Sequence, residues 1–253
     1  MPKRSLDLAA ADLAAAVSVE APAAVSAAVG ADLAAAAPRE VGEMKTAADF
    51  FTTEEKSRIE SAVAAAEKKT SGEIVPMLVD ASYSYHHAEV VGGGTLALAC
   101  GLLASWAFGH ESIWWFLAVS LPGFVLFQQL IHRLPGLKRR LIHANELTAE
   151  VREKALVSFL EQGLHETRDR TGILILISLF ERRVQVLADS GINAKVQEKT
   201  WDEIVTTITT GLKSDDACNA VCRAIDRCGE LLEQHFPIKA DDTNELPNLI
   251  IEE

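Results

Sequence analysis

The sequence specifies an α/β domain with a mixed sheet, cut in two by a transmembrane helical hairpin. Three observations carry that reading. Val90 to Phe108 and Ile113 to Ile131 are uncharged runs of 19 residues each, separated by the short turn Gly109-His110-Glu111-Ser112; that is the length an α-helix needs to cross about 30 Å of hydrocarbon. Gly172 to Leu179 is a nearly continuous apolar run, as expected of a strand buried on both faces. Arg183 to Ala188 then resumes in strand rhythm after Phe180-Glu181-Arg182, which pairs the two strands as a β-hairpin.

The elements follow in order. Residues 1–45 are rich in alanine, broken by Pro22, Gly30 and Pro38, and hold few large apolar groups, so they read as a disordered tail. Thr52 with Glu55 three residues on forms a capping-box signature, and Ile59, Val63 and Ala66 mark one face of a helix over about 53–70. Ser71-Gly72 stops it. Glu73 to Val79 reads as a strand in which Pro76 removes a ladder donor and points to an edge or bulge.

The membrane hairpin occupies 88–133, between this strand and the second long helix. Trp106, Trp114 and Trp115 flank its turn, where amphipathic rings sit at lipid headgroups, and Gly92, Gly93, Gly94 and Gly101 allow close helix packing. Orientation comes from the cations. The turn has no Lys or Arg, whereas Arg133, Lys138, Arg139 and Arg140 follow the second span, so both termini and the α/β domain are expected on the cytoplasmic side of a bacterial-type inner membrane. After the hairpin, Leu147, Val151, Ala155, Phe159 and Leu164 define a helix that ends near Thr167 and covers the sheet. Beyond the strand pair, Trp201 to Leu212 and Cys218 to Leu232 define two more helices. The cysteines of the last one share its apolar stripe and read as small buried hydrophobes rather than zinc ligands. Residues 237–253 are acidic and expected to be disordered, leaving one domain in two segments, 46–87 and 141–236.

Composition narrows the partners. A net charge of −12 over 253 residues leaves no basic stripe for nucleic acid. Gly92-Gly93-Gly94 lacks the Lys-Ser or Lys-Thr of a phosphate loop, so no nucleotide is expected. No cleaved secretion signal is evident at the N-terminus, and four cysteines in a chain this long do not make a disulfide framework. The partners that remain are the lipid bilayer and another membrane protein.

Two acidic pairs are the candidate sites. In an antiparallel pair the end of the second strand lies beside the start of the first, which brings Asp189 towards Asp169. Two carboxylates there are oxygen ligands for a hard cation, Ca²⁺ or Mg²⁺, which in turn polarises a phosphoryl oxygen. The competing pair is Asp80 and Glu181, at the opposite sheet edge and nearer the membrane. The histidines stand beside the spans or scattered on helices, without a catalytic partner at a known spacing.

Ala48-Asp49-Phe50-Phe51-Thr-Thr-Glu-Glu, Thr70-Ser-Gly-Glu-Ile-Val75, Asp169-Arg-Thr-Gly172-Ile-Leu-Ile-Leu and Val186-Leu-Ala-Asp189-Ser-Gly191-Ile together resemble the TPM-domain family over about residues 46–236. The resemblance implies an α/β/α sandwich around a short mixed sheet. Members are typically membrane-tethered and include a thylakoid protein with acid phosphatase activity and an accessory subunit of a neuronal receptor. Where the usual member has Asp-Asn-Gly before the central strand, this chain has Asp169-Arg170-Thr171-Gly172; where it has Gly-x-Gly after the next strand, this chain has Gly191-Ile192-Asn193. The expected function is therefore a non-catalytic adaptor or assembly factor for membrane proteins, with a weak divalent-metal-dependent acid phosphatase as the alternative.

Overall fold

The structure, a computed structural model, describes residues 26–28, 46–109, 112–214, 216–239 and 246–252. Its elements are β1 (Ser26–Ala28), α1 (Ala47–Phe50), α2 (Thr53–Glu67), β2 (Glu73–Val79), α3 (His86–Phe108), α4 (Ile113–Arg133), α5 (Pro135–Leu141), α6 (Ala144–Glu161), a 3₁₀ turn (Leu164–Glu166), β3 (Gly172–Ser178), β4 (Arg183–Ala188), α7 (Ser190–Asn193), α8 (Glu198–Lys213), α9 (Ala217–His235) and β5 (Ile250–Glu252). The strands form one mixed sheet in the order β1-β4-β3-β2-β5. β3 is central and buried along its whole length, as its unbroken apolar run requires. It pairs antiparallel with β4, Ile173 facing Ala188, and parallel with β2, Glu73 facing Gly172.

Alternation along the strands sends side chains into two cores. Ile74, Leu78, Ile173, Ile175, Ile177, Val184 and Val186 meet α2, α8 and α9 on one face. Val75, Met77, Leu174, Leu176 and Leu187 meet Val151, Ala155 and Phe159 of α6 on the other. This is an α/β/α sandwich. The capping box is present in full: Thr52 accepts from Glu55 N at 3.2 Å and Glu55 accepts from Thr52 N at 2.9 Å, a pairing that contributes about 1 kcal/mol to such a helix.

Three sequence expectations change. Pro76 does not mark an edge strand, because β5 pairs with β2 on the side away from β3; it does so over Met77 to Val79, leaving Pro76 just outside the paired stretch. Residues 250–252 are that strand, so part of the expected acidic tail belongs to the sheet. Residues 26–28, within the expected N-terminal tail, pair antiparallel with β4. Of the rest of the tail assignments, 1–25, 29–45, 240–245 and 253 lie outside the described residues.

The cysteines of α9 are core residues. Cys218 and Cys228 are buried and Cys222 packs partly against the same cluster. Burial pushes the Cys228 thiol up to about 12 and the Cys222 thiol up to about 11. The folded state thus prefers the neutral thiol while the unfolded chain ionises near ~8.5. Stability from these groups is complete below that value and is lost as pH rises towards the folded values. Denaturant titrations between pH 8 and 10.5 are expected to show this decline, and iodoacetamide at pH 8 should leave Cys228 unmodified until the domain is unfolded.

α3 and α4 pack on each other as an antiparallel pair and are each long and apolar enough to cross a membrane. Gly93 meets the backbone of Gln128, and a Cβ on Gly101 would overlap Ser120 Oγ, so both glycines are set by the close approach of the two helices. α5 was not foreseen. It folds back across the hairpin base, where Leu141 and Ile131 lie against Gly92.

Candidate functional site

The two acidic pairs fall at opposite ends of the sheet, as expected, but with different chemistry. At the end that bears the hairpin, Phe180 N donates to Asp80 O at 2.8 Å, so the Asp80 and Glu181 segments run side by side. Their carboxylates face different donors. Asp80 Oδ1 accepts from Ala47 N and holds the start of α1. Glu181, only 1% exposed, accepts from Ser82 N and from Tyr85 OH, each at 2.9 Å, and its other oxygen accepts from Ser178 Oγ. A buried carboxylate needs such donors, since water no longer solvates it.

Tyr85 is the hinge of this end. It is fully buried, sits in the left-handed region at φ 46°, and directly precedes α3. Its ring packs against Phe180 at 5.5 Å. Burial raises the phenol above its ordinary range, and the nearby Glu181 carboxylate adds to the shift, so the hydroxyl stays protonated and donates.

One turn into α3, Glu89 accepts from Lys138 Nζ at 2.7 Å and lies 3.1 Å from His132 Nδ1. Lys138 also donates to Ser84 O at 2.6 Å and lies 5.8 Å over the Phe180 ring. His87 contacts Glu146 at 2.8 Å, and Tyr85, Ala88, Ile142, Leu147 and Phe180 form a small core beneath. The pair Asp80 and Glu181 is thus a joint that ties hairpin, sheet edge and α6 together. Burial, then the neighbouring carboxylates of Glu153, Glu146 and Glu181, raise the Glu150 carboxyl above its usual range.

At the far end, Asp189 and Asp169 approach through the backbone. Asp189 N donates to Gly172 O at 3.0 Å, and a Cβ on Gly191 would stand 2.5 Å from Asp169 O. Asp189 caps α7: its Oδ1 accepts from Ser190 N at 2.6 Å and Ser190 Oγ at 2.9 Å. Its Oδ2 is buried without a hydrogen-bond partner, in a residue 3% exposed. Asp169, half-exposed, is ion-paired with Lys239. A calcium site needs about six to eight oxygens and a magnesium site near-octahedral ligation. The residues present offer one uncommitted carboxylate oxygen beside a carboxylate already neutralised by an ammonium, and among the described residues no group of three His, Cys, Asp or Glu comes together. As arranged, this donor set does not fit a resident divalent cation.

Residues 138–231 match the family model described as the TPM domain. This segment is similar to the TPM domain. A solved structure, the NMR structure of BA42 protein from the psychrophilic bacterium Bizionia argentinensis, is similar at TM-score 0.50 and 22% identity, covering 81% of this chain and 96% of that one. At that identity the likeness speaks to fold alone. It reaches well beyond the segment that matches the family model. No curated protein matches the chain.

Sequence reasoning located both sheet ends but missed Tyr85, the Glu89–Lys138 pair and Lys239. Lys138 and Glu89 are 49 positions apart, and no local spacing relates them. Lys239 sits in the stretch that composition assigns to a tail.

Proposed function

We propose that this chain is an integral membrane protein whose cytoplasmic TPM domain acts as a non-catalytic adaptor or assembly factor for membrane proteins. The observation that carries it is the hairpin surface. α3 and α4 keep Val91, Leu98, Leu102, Leu103, Leu121, Val125 and Leu126 exposed, while the sandwich beside them encloses its own cores. An apolar surface of that extent on two adjacent helices is matched by lipid, with Trp106 and Trp114 exposed at the turn end and Arg133, Lys138, Arg139 and Arg140 at the base. The adaptor reading is supported by the employment of the acidic residues. Asp80 and Glu181 bind protein donors at the joint, and Asp169 binds Lys239. The domain is thereby held rigidly beside the bilayer, suited to presenting a surface to a neighbouring membrane protein.

Native membranes washed with alkaline carbonate should retain the chain. Protease added to inside-out vesicles should digest the domain, whereas protease outside intact spheroplasts should not. Release by carbonate defeats the membrane assignment, and digestion from the outside defeats the orientation. Co-purification in mild detergent with a reproducible membrane protein is expected; its absence at stoichiometric levels would remove the adaptor role. A second reading, weak divalent-metal-dependent acid phosphatase, is favoured only by the unpartnered Asp189 Oδ2, and requires Lys239 to release Asp169. Mg²⁺- or Ca²⁺-dependent phosphomonoester turnover that disappears in Asp189→Asn would establish it over the adaptor.

A further inference from the structure

The four basic residues after the second span do not form one cluster. Lys138 is committed to Glu89 and Ser84 O, and its side chain is only 14% exposed. Arg139 is half-buried and also has a partner within the chain. Arg133 and Arg140 are different: both are exposed, and neither makes a hydrogen bond or ion pair with a described residue. Arg133 precedes Leu134 and Arg140 lies in the last turn of α5, with Leu134 40% and Leu141 46% exposed, and a Cβ on Gly136 would meet nothing within 4 Å. The Lys138 ion pair fixes this short helix across the foot of the hairpin.

We propose that α5 with its preceding turn is a binding site for anionic phospholipid headgroups, Arg133 and Arg140 each holding a lipid phosphate while Leu134 and Leu141 enter the acyl boundary. This rests on the membrane reading. A guanidinium fits phosphate oxygens bidentately, and an amphipathic segment at the interface gains from both its charges and its apolar edge. The lipid is favoured over an acidic protein because the site is continuous with a span, at the depth where headgroups lie. The chain as a whole, with its net charge of −12, is repelled by an anionic leaflet, and these two arginines offset that repulsion where the hairpin meets the domain.

The test uses the full chain exchanged into mixed micelles of equal phosphatidylglycerol and phosphatidylcholine, with the lipids retained by the protein counted by native mass spectrometry. Wild type should retain phosphatidylglycerol over phosphatidylcholine, and each arginine removed should reduce that preference about fivefold, the effect of roughly one interfacial charge. Arg133→Gln/Arg140→Gln should bring the two lipids close to parity, and Lys199→Gln, a cation on α8, should leave the preference unchanged. Arg133→Lys/Arg140→Lys should be intermediate, since charge remains but the fork is lost. Parity in the wild type, an unchanged preference in the double glutamine variant, or an equal loss with Lys199→Gln would each overturn the site. A chain that stays monodisperse in buffer without detergent would overturn the membrane reading itself, and the two failures are thereby distinguished.

Discussion

Glu181→Ala is expected to lower the stability of the domain by about 3–5 kcal/mol and to free the hairpin from the sheet. The carboxylate serves Ser82 N, Tyr85 OH and Ser178 Oγ in a residue 1% exposed, so its removal strands two buried donors and one part-buried donor. Each buried unsatisfied group costs about 1–3 kcal/mol, and neighbours in one network do not add fully. Glu181→Gln retains a carbonyl acceptor and should cost about 1 kcal/mol. The checks are urea denaturation in detergent and limited proteolysis within residues 80–85, which should become cleavable in the alanine variant alone. Equal midpoints for the two variants would refute the account of the joint.

The second large effect lies at the other end of the sheet. A Cβ at Gly191 would stand 2.5 Å from Asp169 O and 2.6 Å from Arg170 O, and both are backbone atoms that cannot rotate away. Gly191→Ala should therefore destabilise by about 3 kcal/mol through overpacking, and Gly191→Val by more. It should also pull Asp189 off its cap, because α7 must shift with residue 191. Gly136→Ala is the internal comparison: it meets nothing within 4 Å and lies within α5, so it should be neutral or stabilising by up to about 1 kcal/mol. Thermal unfolding of both variants decides the matter; similar midpoints would mean that the 169–170 turn yields freely.

The central part of the fold was legible because it is written locally. The apolar run of β3, the rhythm of β4, the capping box at Thr52 and the two uncharged runs each specify an element from adjacent residues. β1 and β5 were illegible for the opposite reason. Each is three residues long and is defined by the strand it pairs with, β4 or β2, not by its own pattern. α5 was hidden by its opening Pro135-Gly136, which reads as a break although proline is well placed at a first helical position. At the sites, strand geometry predicted the approach of Asp189 to Asp169 and of Asp80 to Glu181. It could not predict which groups bind them, since Lys239, Tyr85 and Ala47 come from segments related only by the finished tertiary structure.

β2 and β3 are neighbours in register, yet the hairpin and α6 both lie in the chain between Val79 and Gly172. A crossover between parallel strands that other α/β proteins complete with a single helix is here routed through two candidate spans as well as α6. During synthesis β2 emerges long before its partner, with its apolar row and unpaired backbone waiting. Both spans leave the ribosome before the central strand does, so the hairpin is available to the insertion machinery while the sandwich cannot yet close. On the membrane reading proposed above, the order of synthesis keeps the unfinished sheet close to the bilayer, and a delay in insertion would appear first as aggregation of the N-terminal half.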